Sequence, residues 1–321
     1  MKLPRKDTAD EFEIEERSKM LQQVIDAVDQ YENVSQAANS LGIGYTTFQS
    51  RYLTAKTEGF IPSYLSKGMN IPKGIQSEYN ILNISGPKTI LIINDVHVPY
   101  HDERSLELAF EYAKEKGCDG IFINGDFMDF VSVSDHEKTP SERDGFHEEL
   151  EKGREVLKAI VEEFPDADIW YNEGNHETRL PRYLMKKAPE LFNIPGLSCR
   201  ELLKTDMYGI TWIPTETDVR MGDLNVFHGH EYRGGGLLVA RSKFLQAIEN
   251  IIFAHFHRTQ EYIQPTIQGK VLGSWAVGCS CDLRPRYLPK NNWNHGFALV
   301  HLREDDHFVI ENRKIIEGQI Y

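Results

Sequence analysis

A buried strand that ends in an aspartate and a histidine is the feature that constrains this chain most. Residues Ile90–Ile93 are four consecutive aliphatic residues, which is typical of a strand in a sheet covered on both faces. The run stops at Asp95-Val96-His97. Alternation along an extended chain places Asp95 and His97 on the same side of the backbone. A carboxylate and an imidazole at the end of a buried strand suit a metal ion, but this pair alone is weak evidence.

Four further predicted strands end in polar residues of the same kind. These residues are Asp126 after the strand 120–124, Asn175 and His176 after 168–172, His228 after 224–227, and His255 and His257 after 250–254. In α/β sheets, ligands bind beyond the carboxyl ends of the strands. The sequence therefore predicts that the five strand ends contribute to one site.

The order of elements predicts two domains joined by a linker. Strands alternate with helices from residue 88 onward, which indicates an α/β domain over 88–321. Its helices are predicted over 103–116 and 146–164, and its later strands near 210–213, 271–276, 296–302 and 307–313. Glycine and proline are frequent over 57–87, so we interpret 71–87 as a linker, with a strand at its end, and 1–70 as a separate helical domain.

Three short helices are predicted in the N-terminal domain, over 9–31, 34–41 and 45–56. A helix, a tight turn at Gly42 and a further helix resemble a helix-turn-helix DNA reader, whose core here comprises Ala38, Leu41, Ile43, Phe48 and Tyr52. The side chains predicted to face the major groove are Thr46, Thr47, Gln49, Ser50 and Arg51. The alternative is a packing or oligomerisation module with a solvated face.

Charge and composition bear on partners and compartment. The net charge of −13 argues against a broad electrostatic contact with nucleic acid. The region 34–70 is nevertheless slightly basic, with Arg51, Lys56 and Lys67 against Glu58. No signal peptide or membrane span is evident, and the four cysteines are too scattered for a disulfide framework. We expect a reduced cytoplasmic protein with no membrane partner, in which Cys279 and Cys281 are free structural residues.

The order Asp-x-His, Gly-Asp, Gly-Asn-His-Glu, His and His-x-His, over residues 88–313, resembles the calcineurin-like metallophosphoesterases. The chain looks most like phage or bacterial members with a helical DNA-binding head, which implies the cytoplasm of the host if it is phage-encoded. The resemblance implies an α/β fold with a β-sandwich flanked by helices, preceded by a small all-α domain. Ala254 departs from the family, which usually has glycine before His-x-His, and this puts fine geometry in doubt rather than metal binding.

The resemblance also implies two divalent cations and assigns residues to them. One cation takes Asp95, His97, Asp126 and His257, and the second takes Asp126, Asn175, His228 and His255, with Asp126 bridging. Oxygen and imidazole ligands suit manganese, our leading candidate, with iron, zinc, nickel, cobalt and magnesium as alternatives. A shared hydroxide is implied as the nucleophile.

Further roles follow from the same resemblance. His176 is the implied general acid or charge stabiliser for the leaving oxygen, and Asp129 is the carboxylate that orients His176 and keeps it protonated. Arg179, His230 and His136 are candidate substrate contacts.

The substrate is left open by these motifs, because one metal centre serves many phosphoesters. The leading hypothesis is a phosphodiesterase or nuclease that meets DNA through the N-terminal domain and the active site, with dimerisation an open question. The alternatives are a phosphomonoesterase or protein phosphatase, a phosphodiesterase for small cyclic nucleotides, and a non-catalytic DNA-binding regulator. The acidic net charge favours the first two alternatives.

Overall fold

The computed structural model describes residues 3, 11–31, 33–63, 74–75, 80–140, 142 and 145–321. The chain divides into two compact units, Met1–Ser77 and Glu78–Tyr321. Part of the predicted linker, 71–73 and 76–79, lies outside the described residues. The strand expected at its end is Asn80–Ile84, which pairs within the second unit. None of the described helices is long and apolar enough to cross a membrane.

The described part of the first unit contains three helices that pack together, α1 (Glu11–Gln30), α2 (Val34–Ser40) and α3 (Tyr45–Thr57). The side chain of Asn33 caps α2 by accepting a hydrogen bond from the backbone N–H of Gln36. The turn between α2 and α3 contains Gly42 with a φ of +64°, a conformation that favours glycine. The buried core contains Val24, Ala27, Ala37, Ala38 and Phe48, against which Leu41, Ile43 and Tyr52 pack.

The second unit contains two sheets. Their strands are β1 (Asn80–Ile84), β2 (Lys88–Ile93), β3 (Gly120–Asn124), β4 (Asp168–Asn172), β5 (Thr211–Ile213), β6 (Thr217–Met221), β7 (Leu224–Val226), β8 (Ile251–Phe253), β9 (Gln260–Pro265), β10 (Val271–Ala276), β11 (His295–Leu302), β12 (Phe308–Ile316) and β13 (Gln319–Ile320). One sheet has the order β1-β6-β7-β8-β10-β9 and the other β13-β12-β11-β2-β3-β4-β5. Strands β2, β3, β4 and β5 are parallel neighbours, as are β7 and β8.

Strand β2 shows how the sandwich is built from sequence. Ile90 and Ile92 are buried in the core that both sheets share, whereas Leu91 and Ile93 are buried in the core between the seven-stranded sheet and the helices. Because successive side chains of a strand point to opposite faces, a strand covered on both sides must be apolar throughout.

Helices flank the sheets. They are α4 (Glu103–Glu115), α5 (Phe146–Glu163), α6 (Arg179–Lys187), α7 (Cys199–Leu202) and α8 (Val239–Ala247), with 3-10 turns at Val131–Val133, Pro189–Leu191 and Thr205–Tyr208. Helix α4 begins at a side-chain cap from Asp102, and α8 buries Val239 and Ala240 against β8 and β10. The predicted α/β fold, a β-sandwich flanked by helices with a small helical N-terminal unit, is confirmed.

Candidate metal centre

The strand ends bring the predicted polar side chains together. One group of ligand atoms lying within 4.8 Å of one another comprises Asp95, His97 and Asp126, and another comprises Asp126, His228 and His255. His257 joins them through Asp95, since its Nε2 atom lies 3.2 Å from Asp95 Oδ1. Asp126 belongs to both groups, and its Oδ2 atom lies 3.1 Å from His228 Nε2. Six of the seven predicted ligands therefore form one buried or half-buried cluster.

The backbone at these residues differs from the extended chain expected after β2. Asp95, His97, Asp126, His255 and His257 all have positive φ values, between +48° and +65°. Such a conformation is costly for a residue with a Cβ atom, and it is found where the surrounding fold holds a functional group in place. Asp95 and His97 thus reach the same site through left-handed turns rather than through strand alternation.

Two glycines of the motifs are required by close approach. A Cβ atom at Gly174 would lie 2.3 Å from Asp126 Oδ1, and one at Gly125 would lie 2.5 Å from His228 Nδ1. Ala254, where the family usually has glycine, is fully buried and its N–H donates to the carbonyl of His228 over 2.7 Å. Ala254 therefore adds a buried methyl group directly before His255.

The donor set fits divalent cations. Among the described residues, the buried atoms Asp95 Oδ1, Asn175 Oδ1 and His228 Nε2 form no well-directed hydrogen bond; the close contacts of the first and third, to His257 and Asp126, are ionic. Buried polar atoms are normally paired, and these three are oxygen or imidazole donors of the kind that manganese, iron and zinc accept. Asn175 thus presents a free buried oxygen in the cleft that also contains His97.

The carboxylates and imidazoles of the cluster shift one another's pKa values strongly. Burial favours neutral imidazole, but Asp126 outweighs it and raises the pKa of His228 to about 10. Burial likewise opposes charge on His257, yet Asp95 raises its pKa to about 10. Burial raises the pKa of Asp95, but His257 and His228 outweigh it and lower that pKa to about 2. The carboxylates of the cluster thus favour positive charge beside them, which bound cations would supply.

This arrangement predicts how the stability of the metal-free protein depends on pH. A histidine whose pKa is raised in the fold stabilises it fully below its unfolded pKa of about 6.5. That contribution from His228 and His257 is lost as the pH rises through about 10. We expect urea unfolding of chelator-treated protein to show a falling free energy between pH 7 and pH 10, with a smaller fall in manganese-loaded protein. Equal pH dependence with and without manganese would contradict this expectation.

His176, Asp129 and Arg179 form a second group at the edge of the cluster. Asp129 Oδ1 lies 2.9 Å from His176 Nδ1 and 3.5 Å from His97 Nδ1. Arg179 donates to the carbonyl of Asp129 over 2.7 Å, and its Nη2 atom lies 2.9 Å from His176 Nε2. Arg179 therefore contacts the pair predicted to assist the leaving group.

The groups around His176 shift its pKa in opposite directions. Burial lowers the pKa of His176. Asp126 and Asp129 raise that pKa, but they do not outweigh burial together with the charges of His97 and Arg179. Burial raises the pKa of Asp129, but its hydrogen bonds to His176 and His97 reverse this and hold that pKa well below its usual range. Asp129 is thus an acceptor that fixes the ring, and the guanidinium of Arg179 donates to the other ring nitrogen.

A cleft of ≈ 930 Å³ opens onto this group. Its lining includes His97, Asn175, His176, Arg179 and His136. His230, by contrast, is absent from the lining; its ring centroid lies 5.5 Å from that of His228 and 6.3 Å from that of His255. The structure therefore places two of the three candidate substrate contacts in the cleft and the third beside the cluster.

Glu177 is a functional residue to which the sequence motifs assigned no role. Its fully buried carboxylate accepts hydrogen bonds from the N–H groups of Asp126 (3.0 Å), Met128 (3.1 Å) and Gly174 (2.8 Å), and from Tyr171 Oη (2.8 Å). It therefore connects the loops after β3 and β4. In the sequence, the position of Glu177 at the end of the motif Gly-Asn-His-Glu could have indicated this role.

We expect Glu177→Ala to lower the free energy of unfolding by about 3–5 kcal/mol, because it leaves several buried N–H groups without an acceptor. Urea unfolding monitored by circular dichroism measures this loss. The matched control is Glu115→Ala at the exposed end of α4, which should change stability by less than about 0.5 kcal/mol. A similar small change for both variants would contradict the role of Glu177.

Two more residues that carry no role in the motifs support the site. Cys281 Sγ lies 3.9 Å from His257 Nδ1. The thiol of Cys281 therefore contacts one ring nitrogen of His257, while the other ring nitrogen faces Asp95. Glu231 accepts from the N–H groups of His228 and Gly229, over 3.1 and 2.6 Å. Contacts of this kind fix the orientation of a histidine. Both depend on tertiary folding, so the sequence offered little signal for them.

The predicted DNA-reading side chains lie in the first unit, on α3. Thr46, Thr47, Gln49 and Ser50 are exposed, and Arg51 is half-buried. Gln49 Nε2 donates to Tyr45 Oη, one helical turn earlier, over 2.8 Å. These polar side chains of α3 therefore face solvent, with Arg51 partly covered.

Comparisons with known proteins place this geometry in context. Residues 88–275 match the sequence profile of the calcineurin-like phosphoesterases. Two similar proteins are the Gene 54 proteins of Mycobacterium phages L5 and D29, which are 26% and 28% identical over 258 residues. In both cases the match covers 73% of this chain and 98% of the phage protein.

Solved structures with related folds share little sequence with the chain. A phosphoesterase from E. coli, Yfce, is 12% identical with a TM-score of 0.31, covering 69% of this chain and 98% of that one. A dimetal phosphatase from Danio rerio is 10% identical with a TM-score of 0.35, covering 71% and 96%.

Proposed function

This chain belongs to the calcineurin-like phosphoesterase family, and from that premise we propose that it is a dinuclear-metal phosphodiesterase acting on DNA. The family hydrolyses phosphoester bonds with two metal ions. The observation that carries the proposal is that Asp126 belongs to two groups of ligand atoms, one of which includes His97 in the lining of the cleft. The N-terminal unit, with the exposed polar face of α3, supports DNA as the substrate.

The ligand assignment follows the two groups. We propose that one cation is held by Asp95, His97, Asp126 and His257, and the other by Asp126, Asn175, His228 and His255. Manganese remains our first choice of metal. When bound, such cations polarise phosphoryl oxygens and make a water molecule a stronger nucleophile at neutral pH.

The protein side chains then orient the ester and handle the leaving group. The His176 ring is fixed by Asp129 at Nδ1, so its Nε2 atom is the one available to the departing oxygen. Arg179 occupies that nitrogen in the free protein, and we propose that the substrate displaces this contact. Arg179 would then neutralise phosphate charge while His176 protonates or stabilises the leaving oxygen.

The role of the N-terminal unit leads to a specific expectation. If α3 contacts DNA phosphates, Arg51→Glu should weaken binding across DNA sequences and reduce the salt slope of the binding constant by about 1. Fluorescence anisotropy with a labelled duplex at several salt concentrations measures both quantities. The matched charge reversal is Lys19→Glu, on the exposed surface of α1. Identical binding by the wild type, Arg51→Glu and Lys19→Glu would rule out this use of α3.

The substrate class is tested with manganese-loaded protein, labelled single- and double-stranded DNA, and p-nitrophenyl phosphate. Metal-dependent DNA cleavage supports the proposal. Turnover of the monoester with intact DNA would instead establish a phosphomonoesterase, which the net charge of −13 favours.

A further inference from the structure

A series of aromatic rings runs outward from the metal centre. The ring of Trp293 lies 4.0 Å from that of His257, centroid to centroid, in an edge-to-face arrangement. The ring of Tyr287 lies 6.4 Å from that of Trp293, again edge to face. Both aromatic residues line the cleft that contains His176 and Asn175. The cleft therefore has an aromatic wall that begins at a proposed metal ligand.

The outer part of this wall is not explained by core packing. Tyr287 is 68% exposed and Trp293 is half-buried, although aromatic residues usually bury most of their area. Exposed aromatic surface in a cleft is typical of a binding site.

The segment that carries the rings is held in a defined shape. Asn291 donates from Nδ2 to the carbonyls of Leu283 and Leu288, each over 2.9 Å. Its Oδ1 atom accepts from the N–H of Trp293 over 3.0 Å. One side chain thus ties both ends of the turn to Trp293, so the aromatic wall is preorganised for a ligand.

Charged groups beside the rings suit a substrate with more than one phosphate. Arg284 and Arg286 are exposed in the same segment and line the same cleft. Arg286 Nη2 lies 3.0 Å from Glu142 Oε2, and the other acidic residues of the lining above the cluster are Asp282 and Glu137. Arginine interleaved with exposed aromatic rings is the combination that binds single-stranded nucleic acid, because bases stack on the rings while phosphates meet the guanidinium groups.

We propose that Tyr287 and Trp293 form a stacking platform for an unpaired nucleobase next to the phosphate held at the metal centre. The inference rests on the proposed function and narrows it to single-stranded or locally unpaired DNA. A base within a continuous duplex is stacked on its neighbours, so its face can reach these rings only after it leaves the stack. Arg284 and Arg286 would contact the phosphate that follows the stacked base.

The test compares cleavage of a single-stranded oligonucleotide, an abasic oligonucleotide of equal length and the matching duplex by manganese-loaded enzyme. The wild type should cleave the base-bearing single strand with the highest kcat/KM. Tyr287→Leu should lower that value about tenfold, through KM, and bring it close to the value for the abasic strand. Tyr287→Phe should keep the preference for the base-bearing strand, since it keeps the aromatic ring. Tyr321→Leu is the control for loss of an exposed tyrosine elsewhere.

The outcomes separate this inference from the function on which it rests. Equal cleavage of base-bearing and abasic strands by the wild type would overturn the platform and leave the nuclease standing. Retention of the full preference for bases by Tyr287→Leu would also overturn the platform and leave the nuclease standing. Hydrolysis of methyl p-nitrophenyl phosphate with every oligonucleotide intact would overturn the action on DNA itself, and the platform with it.

Discussion

Asp126→Asn is expected to lower metal-dependent phosphoester turnover by more than about 100-fold and to reduce the number of bound cations. The carboxylate of Asp126 belongs to both groups of ligand atoms, so the substitution removes a negative charge from two cation positions at once. Loss of an outer partner of a metal ligand already costs 10–100-fold in affinity or activity. Loss of a shared ligand should cost more.

Asparagine has nearly the same shape as aspartate, so the fold should survive. The Oδ1 atom of Asp126 accepts from the N–H of His176, and an amide oxygen can take over that bond. Turnover of methyl p-nitrophenyl phosphate and metal content by mass spectrometry measure the two effects. Asp168→Asn is the matched control, since Asp168 lies at the exposed start of β4 and pairs with Lys88. Wild-type turnover with both cations in Asp126→Asn would refute the shared ligand.

His176→Asn is the second substitution with a large expected effect. It should lower kcat by 10²–10⁴-fold, the usual contribution of general acid catalysis, while the cations stay bound. His176 stands outside both proposed ligand sets, and its Nδ1 atom is engaged by Asp129. The expected pattern is therefore a loss of turnover without a loss of metal.

The leaving group distinguishes proton donation from a structural role. A group that protonates the departing oxygen matters most when that oxygen is basic, so the defect should be large for a nucleoside alcohol and small for p-nitrophenol. His307→Asn, at an exposed position, is the matched control. An equal defect for both leaving groups would show that His176 does not deliver the proton.

The strand pattern of the second unit could be predicted because buried strands are distinctive. The runs that became β2, β3 and β4 are apolar and covered on both faces, and each is followed by a polar motif. Strands β6, β9 and β13 were not predicted. In β9 and β13 every residue is exposed or half-buried, so hydrophobic periodicity is weak there. β6 is a short strand whose buried positions alternate with polar ones.

The residues of the site could be predicted from the sequence, but their backbone conformation could not. The motifs identified Asp95, His97 and Asp126, and the structure brings them within a few ångströms of one another. Their positive φ values have no sequence signal, because the surrounding fold rather than the residue type imposes them. The hydrogen bonds of Glu177 likewise join loops that are distant in sequence. The contact of Arg179 with His176 depends on how tertiary packing orients one loop.

The most direct test of a dinuclear phosphoesterase centre is a titration of chelator-treated protein with Mn²⁺, in which bound metal and hydrolysis of methyl p-nitrophenyl phosphate are measured together. The arrangement of ligands around Asp126 predicts that activity rises as the ratio of bound Mn²⁺ to chain approaches two and disappears again on chelation. Saturation at one ion or none, with activity that does not follow the metal, would contradict the account.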